Sequence, residues 1–341
     1  IDAIVQAFEA GSNSPDIASL LVGARGTGKT ALLSYLSLEA QSRGWIAVDV
    51  TAAPGMLEDI LLQCERAASH LVPEPSNRRV TGIQLAGVAG VSWTSDGAQG
   101  SNWRTAMSDL LDKLAVQDVG VLVTVDEVDP RLDELRQLVN VFQHFMREER
   151  KASLLMAGLP HNVSLLVTEY STTFLRRAAR HNLGPIPDYE VEDAFRLTVE
   201  QGGRSISPED LALAVHAIDG FPFMFQLVGY RAWGSSPANP EISVADMERG
   251  IALANSELKD RVYDATLAEL SPGDIAFLRA MLEDGGTTNQ VDLRERLGKS
   301  SSHVSTYKRR LLDCGIIDEP RKGVLRFCLP GFSAYLAKEL A

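Results

Sequence analysis

No apolar run in this chain approaches the roughly 18 residues that a membrane-spanning helix needs. No secretory leader is visible at its start, so no membrane partner is expected. Cysteine is scarce: Cys64, Cys314 and Cys328 are odd in number, far apart and without C-x-x-C spacing. That excludes a disulfide framework and a zinc site, and it fits buried free thiols in a reducing cytoplasm. Positive charge is also short, with 33 Lys and Arg against 45 Asp and Glu and a formal net charge of −12. This counts against unspecific polyanion binding by the whole molecule, although a local basic patch remains compatible with it. Internal repeats and low-complexity tracts are missing. What remains is an ordinary globular composition, 45% apolar and 23% charged over 341 residues, enough for two or three domains. The chain opens on Ile1 without a methionine, so residues upstream of it are expected.

The most informative stretch is Gly23–Thr30, GARGTGKT, which fits the phosphate-loop spacing G-x-x-x-x-G-K-[ST]. The apolar run Ile17–Val22 precedes it and a helical segment reaching about Ser42 follows it. Glycines at 23, 26 and 28 let several backbone N–H groups face one phosphate chain. Lys29 reaches the β- and γ-phosphates as a point charge, the Thr30 hydroxyl holds Mg²⁺, and the helix N-terminus adds its positive end. Gly23, Ala24, Arg25, Gly26, Thr27, Gly28, Lys29, Thr30 and Ala31 are therefore the expected nucleotide-binding residues.

A second signature is Gly120–Val125, an apolar strand that ends in Asp126-Glu127. A strand buried on both faces belongs to a parallel sheet covered by helices. An acid pair at its C-terminal end lies at the ligand edge of such a sheet. Asp126 is expected in the Mg²⁺ shell, and Glu127 is expected to orient and deprotonate the attacking water. Asp129 is read as the cap of the next helix, with Pro130 at its first position.

Around these lie helices over 2–10, 56–71, 105–117 and 132–150, and strands over 45–50 and 152–157. Residues 73–104 read as an insertion, with a hairpin over Val80–Ser92 and a polar loop, Ser95–Ser101, between Trp93 and Trp103. Phe174–Arg180 is a basic turn or helix, and Leu183–Ile186 begins the last core strand or its exit. The strand–helix alternation predicts an α/β parallel-sheet core over 1–187. Strand signals stop at Asp188, and four helices follow over 188–268 as a helical lid. Residues 269–341 read as three helices, from Ser271, Thr288 and Ser300, then two short strands around the turn 320–323 and a final helix. That is the order of a winged helix-turn-helix.

GARGTGKT, VLVTVDE and the trailing helices together resemble the AAA+ ATPases. The C-terminal winged helix points to the branch holding archaeal initiator ATPases, archaeal-type ATPases and STAND regulatory ATPases. Phe174–Arg177, Gly220–Gly229 and Leu329-Pro330-Gly331 are softer supporting matches. The resemblance implies an ATPase binding ATP or ADP with Mg²⁺. It places the arginine finger at Arg176 or Arg177, where a guanidinium would stabilise γ-phosphate charge in a neighbouring subunit; binding of the pair to core carboxylates or lid helices is the other reading. The strand expected to end in a polar sensor ends Met156-Ala157-Gly158, leaving His161 or Asn162 as substitutes. A sensor arginine near Gly220 is replaced by Gly220-Phe221-Pro222, similar to the G-x-P of STAND proteins, which implies that Pro222 packs near the nucleotide. This departure implies a slow, nucleotide-gated switch.

The third helix of the C-terminal segment carries Ser301, Ser302, His303, Ser305, Thr306, Lys308, Arg309 and Arg310. Small hydroxyls suit base edges and the basic cluster suits phosphates, so Ser302, His303, Ser305, Lys308, Arg309 and Arg310 are the candidate contacts to double-stranded DNA. Docking of a protein partner, or of another copy of the chain, is the alternative.

Overall fold

The structure, a computed structural model, describes residues 1–10, 14–69 and 99–340. The expected hairpin over Val80–Ser92 and Trp93 lie outside those residues. The described chain forms two compact units: Ile1–Val22, Lys29–Gly158 and Asn162–His181 make one, and Gly23–Gly28, Leu159–His161 and Asn182–Ala341 the other.

The first unit is built on a parallel sheet. Its strands are β1 (Ala18–Val22), β2 (Ile46–Thr51), β3 (Val121–Asp126), β4 (Ala152–Gly158) and β5 (Ala179–Asn182), in the order β2-β3-β4-β1-β5. Helices α1 (Asp2–Ala10), α2 (Lys29–Ser42), α3 (Met56–Ser69), α4 (Gln99–Ala115), α5 (Asp133–Arg147) and α6 (Pro160–Thr168) accompany it. Every residue of β1 and β4 is buried, and β3 is buried up to Val125. These are the continuous apolar runs that a sheet covered on both faces requires. α5 shows the complementary pattern, burying Leu135, Leu138, Val139, Phe142 and Phe145 at helical spacing.

Three expectations are corrected here. The last strand is Ala179–Asn182, so the stretch read as a basic turn stops short of Arg180, and Leu183–Ile186 is the exit of that strand. The strand sits at the sheet edge with alternating exposure, so only one side of it must be apolar, and Arg180 and Asn182 face outward. The helix after Asp126-Glu127 starts at Asp133, with Leu132 at its cap position. Asp129 instead accepts from the Arg131 N–H at 2.9 Å and pairs with the Arg131 guanidinium, which holds its carboxyl below the ordinary range. α4 begins at Gln99, inside the stretch read as loop. Trp103 is buried within it and donates to the Leu57 carbonyl at 2.6 Å.

The second unit carries α7 (Asp188–Gln201), α8 (Pro208–Ile218), α9 (Pro222–Ser235) and α10 (Val244–Leu258), with a small parallel pair, β6 (Ser205–Ile206) and β7 (Glu241–Ile242). A π-helical turn, Lys259–Tyr263, and α11 (Asp264–Ala268) lead on to α12 (Pro272–Leu282), β8 (Thr287–Asn289), α13 (Gln290–Leu297), α14 (Ser301–Asp313), β9 (Ile317–Arg321), β10 (Val324–Phe327) and α15 (Phe332–Glu339). Thr288 and Asn289, read as the start of a helix, belong instead to β8, which pairs antiparallel with β10, and β10 also pairs with β9. Two consecutive threonines favour the strand, and α13 starts only at Gln290. Ser271 caps α12 in a capping box with Asp274, with Pro272 in the first turn.

One apolar cluster runs from Val191 in α7 to Leu336 in α15. The junction is pinned by Tyr263, whose hydroxyl donates to the Pro330 carbonyl at 2.5 Å, and by Tyr335, whose hydroxyl donates to Asp264 at 2.5 Å.

Burial pushes the Cys64 thiol and the Tyr263 hydroxyl up to about 12, and burial with Asp318 does the same to Cys328. Cys314, in contrast, is exposed. Groups whose folded pKa is raised contribute stability that is complete below their unfolded pKa, here about 9 to 10, and lost as pH climbs through the folded value. Urea unfolding midpoints are expected to fall between about pH 9 and 12 as these groups titrate. Cys64→Ala should flatten that fall, which chemical denaturation across the range would show.

Candidate nucleotide site

β1 delivers the chain at Val22 into the loop Gly23–Gly28, and α2 starts at Lys29. Gly26 and Gly28 are left-handed, with φ of 77° and 83°, a conformation that a side chain resists. A Cβ on Gly23 would lie 2.5 Å from Thr27 Oγ1 and 3.1 Å from Leu183 Cβ. The Thr27 hydroxyl closes the turn by donating to the Ala24 carbonyl at 2.8 Å. Ala24 is half-buried, Arg25 is exposed, Lys29 is buried, and Ala31 is exposed in the first turn of α2.

Thr30, one residue into α2, donates its hydroxyl to Asp126 Oδ2 at 2.5 Å. The other carboxylate oxygen of Asp126 accepts the Glu127 N–H at 2.8 Å. Glu127 is exposed and itself left-handed, φ 55°, an uncommon conformation for a side-chain-bearing residue and one that clusters at functional sites. Its neighbour Val128 is buried; the Val128 N–H donates to the Ala157 carbonyl at 2.9 Å, and its carbonyl accepts from Asn162 Nδ2 at 3.1 Å. The acid pair is thus tied to the end of β4 on one side and to α2 on the other. Upstream, Thr124 and Ser37 donate to Asp49 Oδ1 at 2.6 and 2.5 Å, a polar knot joining β3, α2 and β2.

The residues read as sensor substitutes have other partners. Asn162 holds the Val128 carbonyl, and His161 Nε2 lies 3.2 Å from Asp313 Oδ1. Arg176 donates to the carbonyls of Val167 and Thr168, at 3.3 and 3.5 Å, where a cation suits the C-terminal end of α6. Arg177 is exposed. Pro222 does meet the loop: a Cβ on Gly28 would sit 3.7 Å from its ring. The neighbouring Phe221 packs on Gly26, a contact that sequence reasoning did not assign. Its signal was an aromatic pair flanking a proline just after a glycine.

The basic cluster of α14 is divided. Lys308 Nζ lies 2.6 Å from Glu319 Oε1 and 3.0 Å from Gln290 Oε1. Burial pushes the Glu319 carboxyl up, but Lys308 and the Gly323 N–H outweigh it and hold the group below its ordinary value. Arg310 pairs at 2.9 Å with Asp274, whose side chain is buried. His303 Nε2 lies 3.3 Å from the Tyr307 hydroxyl, and the Ser302 and Ser300 hydroxyls are 3.1 Å apart. Ser302, Ser305 and Arg309 are exposed along one stripe. Lys308→Ala is expected to destabilise the fold by about 1–3 kcal/mol, because it leaves Glu319 without its cation. Arg309→Ala should be neutral within about 0.5 kcal/mol in the same denaturation experiment.

Among the described residues no helix is long and apolar enough to cross a membrane. A family described as a domain of unknown function, DUF8462, matches residues 260–336, which begin inside the π-helical turn and end in α15. Nothing among the curated proteins matches the chain. Among solved structures, the chain is similar to the ORC2 protein of Aeropyrum pernix in its ADPNP-ADP complexes, at 15% identity and a TM-score of 0.61, over 100% of this chain and 94% of that one. The ADP form of the same protein matches at 15% identity and a TM-score of 0.58, over 99% and 90%. The sheet order and these likenesses give the fold as that of the P-loop AAA+ proteins.

Proposed function

We propose that the chain is a regulatory ATPase of the AAA+/STAND-like kind: it binds ATP or ADP with Mg²⁺, hydrolyses ATP slowly, and uses its nucleotide state to control a C-terminal winged helix. The observation that carries this reading is the 2.5 Å contact between the Thr30 hydroxyl and the Asp126 carboxylate. It brings one residue of the phosphate loop motif and one of the acid pair to a common point. Among the described residues no group of three or more His, Cys, Asp or Glu could enclose a metal. Mg²⁺ takes few protein ligands and keeps waters and phosphate oxygens. Thr30 and Asp126 would hold the ion, and the ion would offset charge on the phosphates. Lys29 would bind the β- and γ-phosphates, and Glu127, exposed beside Asp126, would take the proton of the attacking water. The nucleotides named for the Aeropyrum pernix structures support the same ligand class. In this reading the chain divides into a core over 1–187, a lid over 188–268 and the winged helix over 269–341, and the protein works in the cytoplasm. Phosphate release from Mg²⁺-ATP by the purified chain tests it; no release above a Glu127→Gln control would overturn the hydrolytic assignment.

For the winged helix we favour a protein partner over DNA. Two of the three basic residues proposed for phosphates, Lys308 and Arg310, already neutralise Glu319 and Asp274. Arg309 lies on an exposed stripe with the hydroxyls of Ser302 and Ser305. Binding to a labelled duplex across a salt series separates the two partners. An affinity that falls steeply with salt and depends on Arg309 would favour DNA. A role for Arg176 or Arg177 in trans requires self-assembly, and would show as a turnover rate per chain that rises with protein concentration.

A further inference from the structure

The segment Asp219–Pro222 that opens α9 is unusually constrained. Asp219 and Gly220 are both left-handed, with φ of 48° and 66°. The Gly220 carbonyl accepts from the Ile186 N–H at 2.8 Å, and a Cβ on Gly220 would lie 2.5 Å from the Ile186 carbonyl oxygen. Pro222 then fixes the backbone at the first turn of the helix. Between these restraints stands Phe221, 4% exposed, whose ring edge rests on Gly26 so closely that a Cβ there would overlap it. Phe223 backs the contact, with ring centroids 6.2 Å apart and its own Cβ 3.6 Å from the Gly26 Cβ position.

Gly26 is one of the two left-handed glycines that shape the phosphate loop. A phenyl ring offers no charge and no hydrogen bond to a phosphate. Its effect must come through the shape of the loop, by removing conformations that a free glycine would visit. We propose that Phe221 is a positioning residue for nucleoside di- and triphosphate binding: its ring holds Gly26 in the left-handed, phosphate-accepting conformation and so ties nucleotide residence time to the seating of α9. The proposal rests on the nucleotide-binding function proposed above. Because the ring acts on the loop and not on the base, it should set the affinity for adenine and guanine nucleotides by the same factor. By reciprocity, bound nucleotide should strengthen the seat of α9.

Stopped-flow release of a fluorescent ADP analogue from the full chain tests this, with apo melting temperatures recorded for each variant. Phe221→Ala is expected to speed release about tenfold, and Phe221→Leu, which keeps apolar bulk, by less. Competition with unlabelled ADP and GDP should show their affinity ratio unchanged. Gly26→Ala should cost less affinity in the Phe221→Ala background than in the wild type, since the ring it collides with is gone; residual backbone strain is common to both. Release from Phe221→Ala within twofold of wild type, or strict additivity with Gly26→Ala, would overturn the proposal. If Phe221→Ala does not fold, the same release criterion applies to Phe221→Leu. Wild-type chain that binds no fluorescent ADP would overturn the nucleotide-binding function, and this role with it.

Discussion

Lys29→Ala should lower the affinity of the chain for ATP and ADP by about 10²–10⁴-fold while leaving the fold intact. Lys29 is only 7% exposed, at the point where the loop turns into α2. In the proposed site a cation there would meet the most highly charged part of the nucleotide, and removing one partner of a desolvated charge pair costs about 3–5 kcal/mol, each 1.4 kcal/mol being a factor of ten. Alanine is the best helix former, so α2 itself should not suffer. Equilibrium titration with a fluorescent nucleotide, alongside a denaturation curve, separates lost binding from lost structure. Binding by Lys29→Ala within tenfold of wild type would remove this residue from the site.

Glu127→Gln should leave nucleotide affinity nearly unchanged and slow hydrolysis by about 10²–10⁴-fold, the usual contribution of a positioned general base. The amide keeps the size of the side chain and the ability to tolerate the left-handed backbone, but it cannot take a proton. Because Glu127 is exposed, its removal leaves no buried charge unpaired, and the stability cost should be small. Single-turnover phosphate release measures the step directly. Asp126→Asn differs in kind: it alters the carboxylate that accepts from both Thr30 and the Glu127 N–H, so binding and turnover should fall together when Mg²⁺ is supplied.

The two strands flanking these residues were legible because burial on both faces of a parallel sheet writes long apolar runs into the chain, as in VLVTV and ASLLMA. β5 was not, because an edge strand reading Ala-Arg-His-Asn carries no such run; its His181 is satisfied by Asp16 and Ser19, far upstream. β8 hid behind a residue pattern, Thr-Thr-Asn, that serves equally as a helix cap, and only its partner β10 decides between the two. Asp129-Pro130 reads locally as a helix start, but Arg131 captures the aspartate first. The same limit applies to the candidate partner surface. Counting charge along α14 makes Lys308 and Arg310 equivalent to Arg309, and only the folded chain brings Glu319 and Asp274 to the first two. His161 and Asn162 were both open as sensors from sequence spacing. Their partners, Asp313 and the Val128 carbonyl, are long-range contacts that no local pattern encodes.

Nucleotide retention is the most direct measure of the proposed nucleotide-gated switch. The chain is incubated with Mg²⁺-ATP, desalted, denatured, and the released nucleotide identified and counted by chromatography. The expected result is about one nucleotide per chain, ADP from the wild type and ATP from Glu127→Gln, with none from Lys29→Ala. Nucleotide-free wild type, or ADP in equal yield from the wild type and Glu127→Gln, would contradict it.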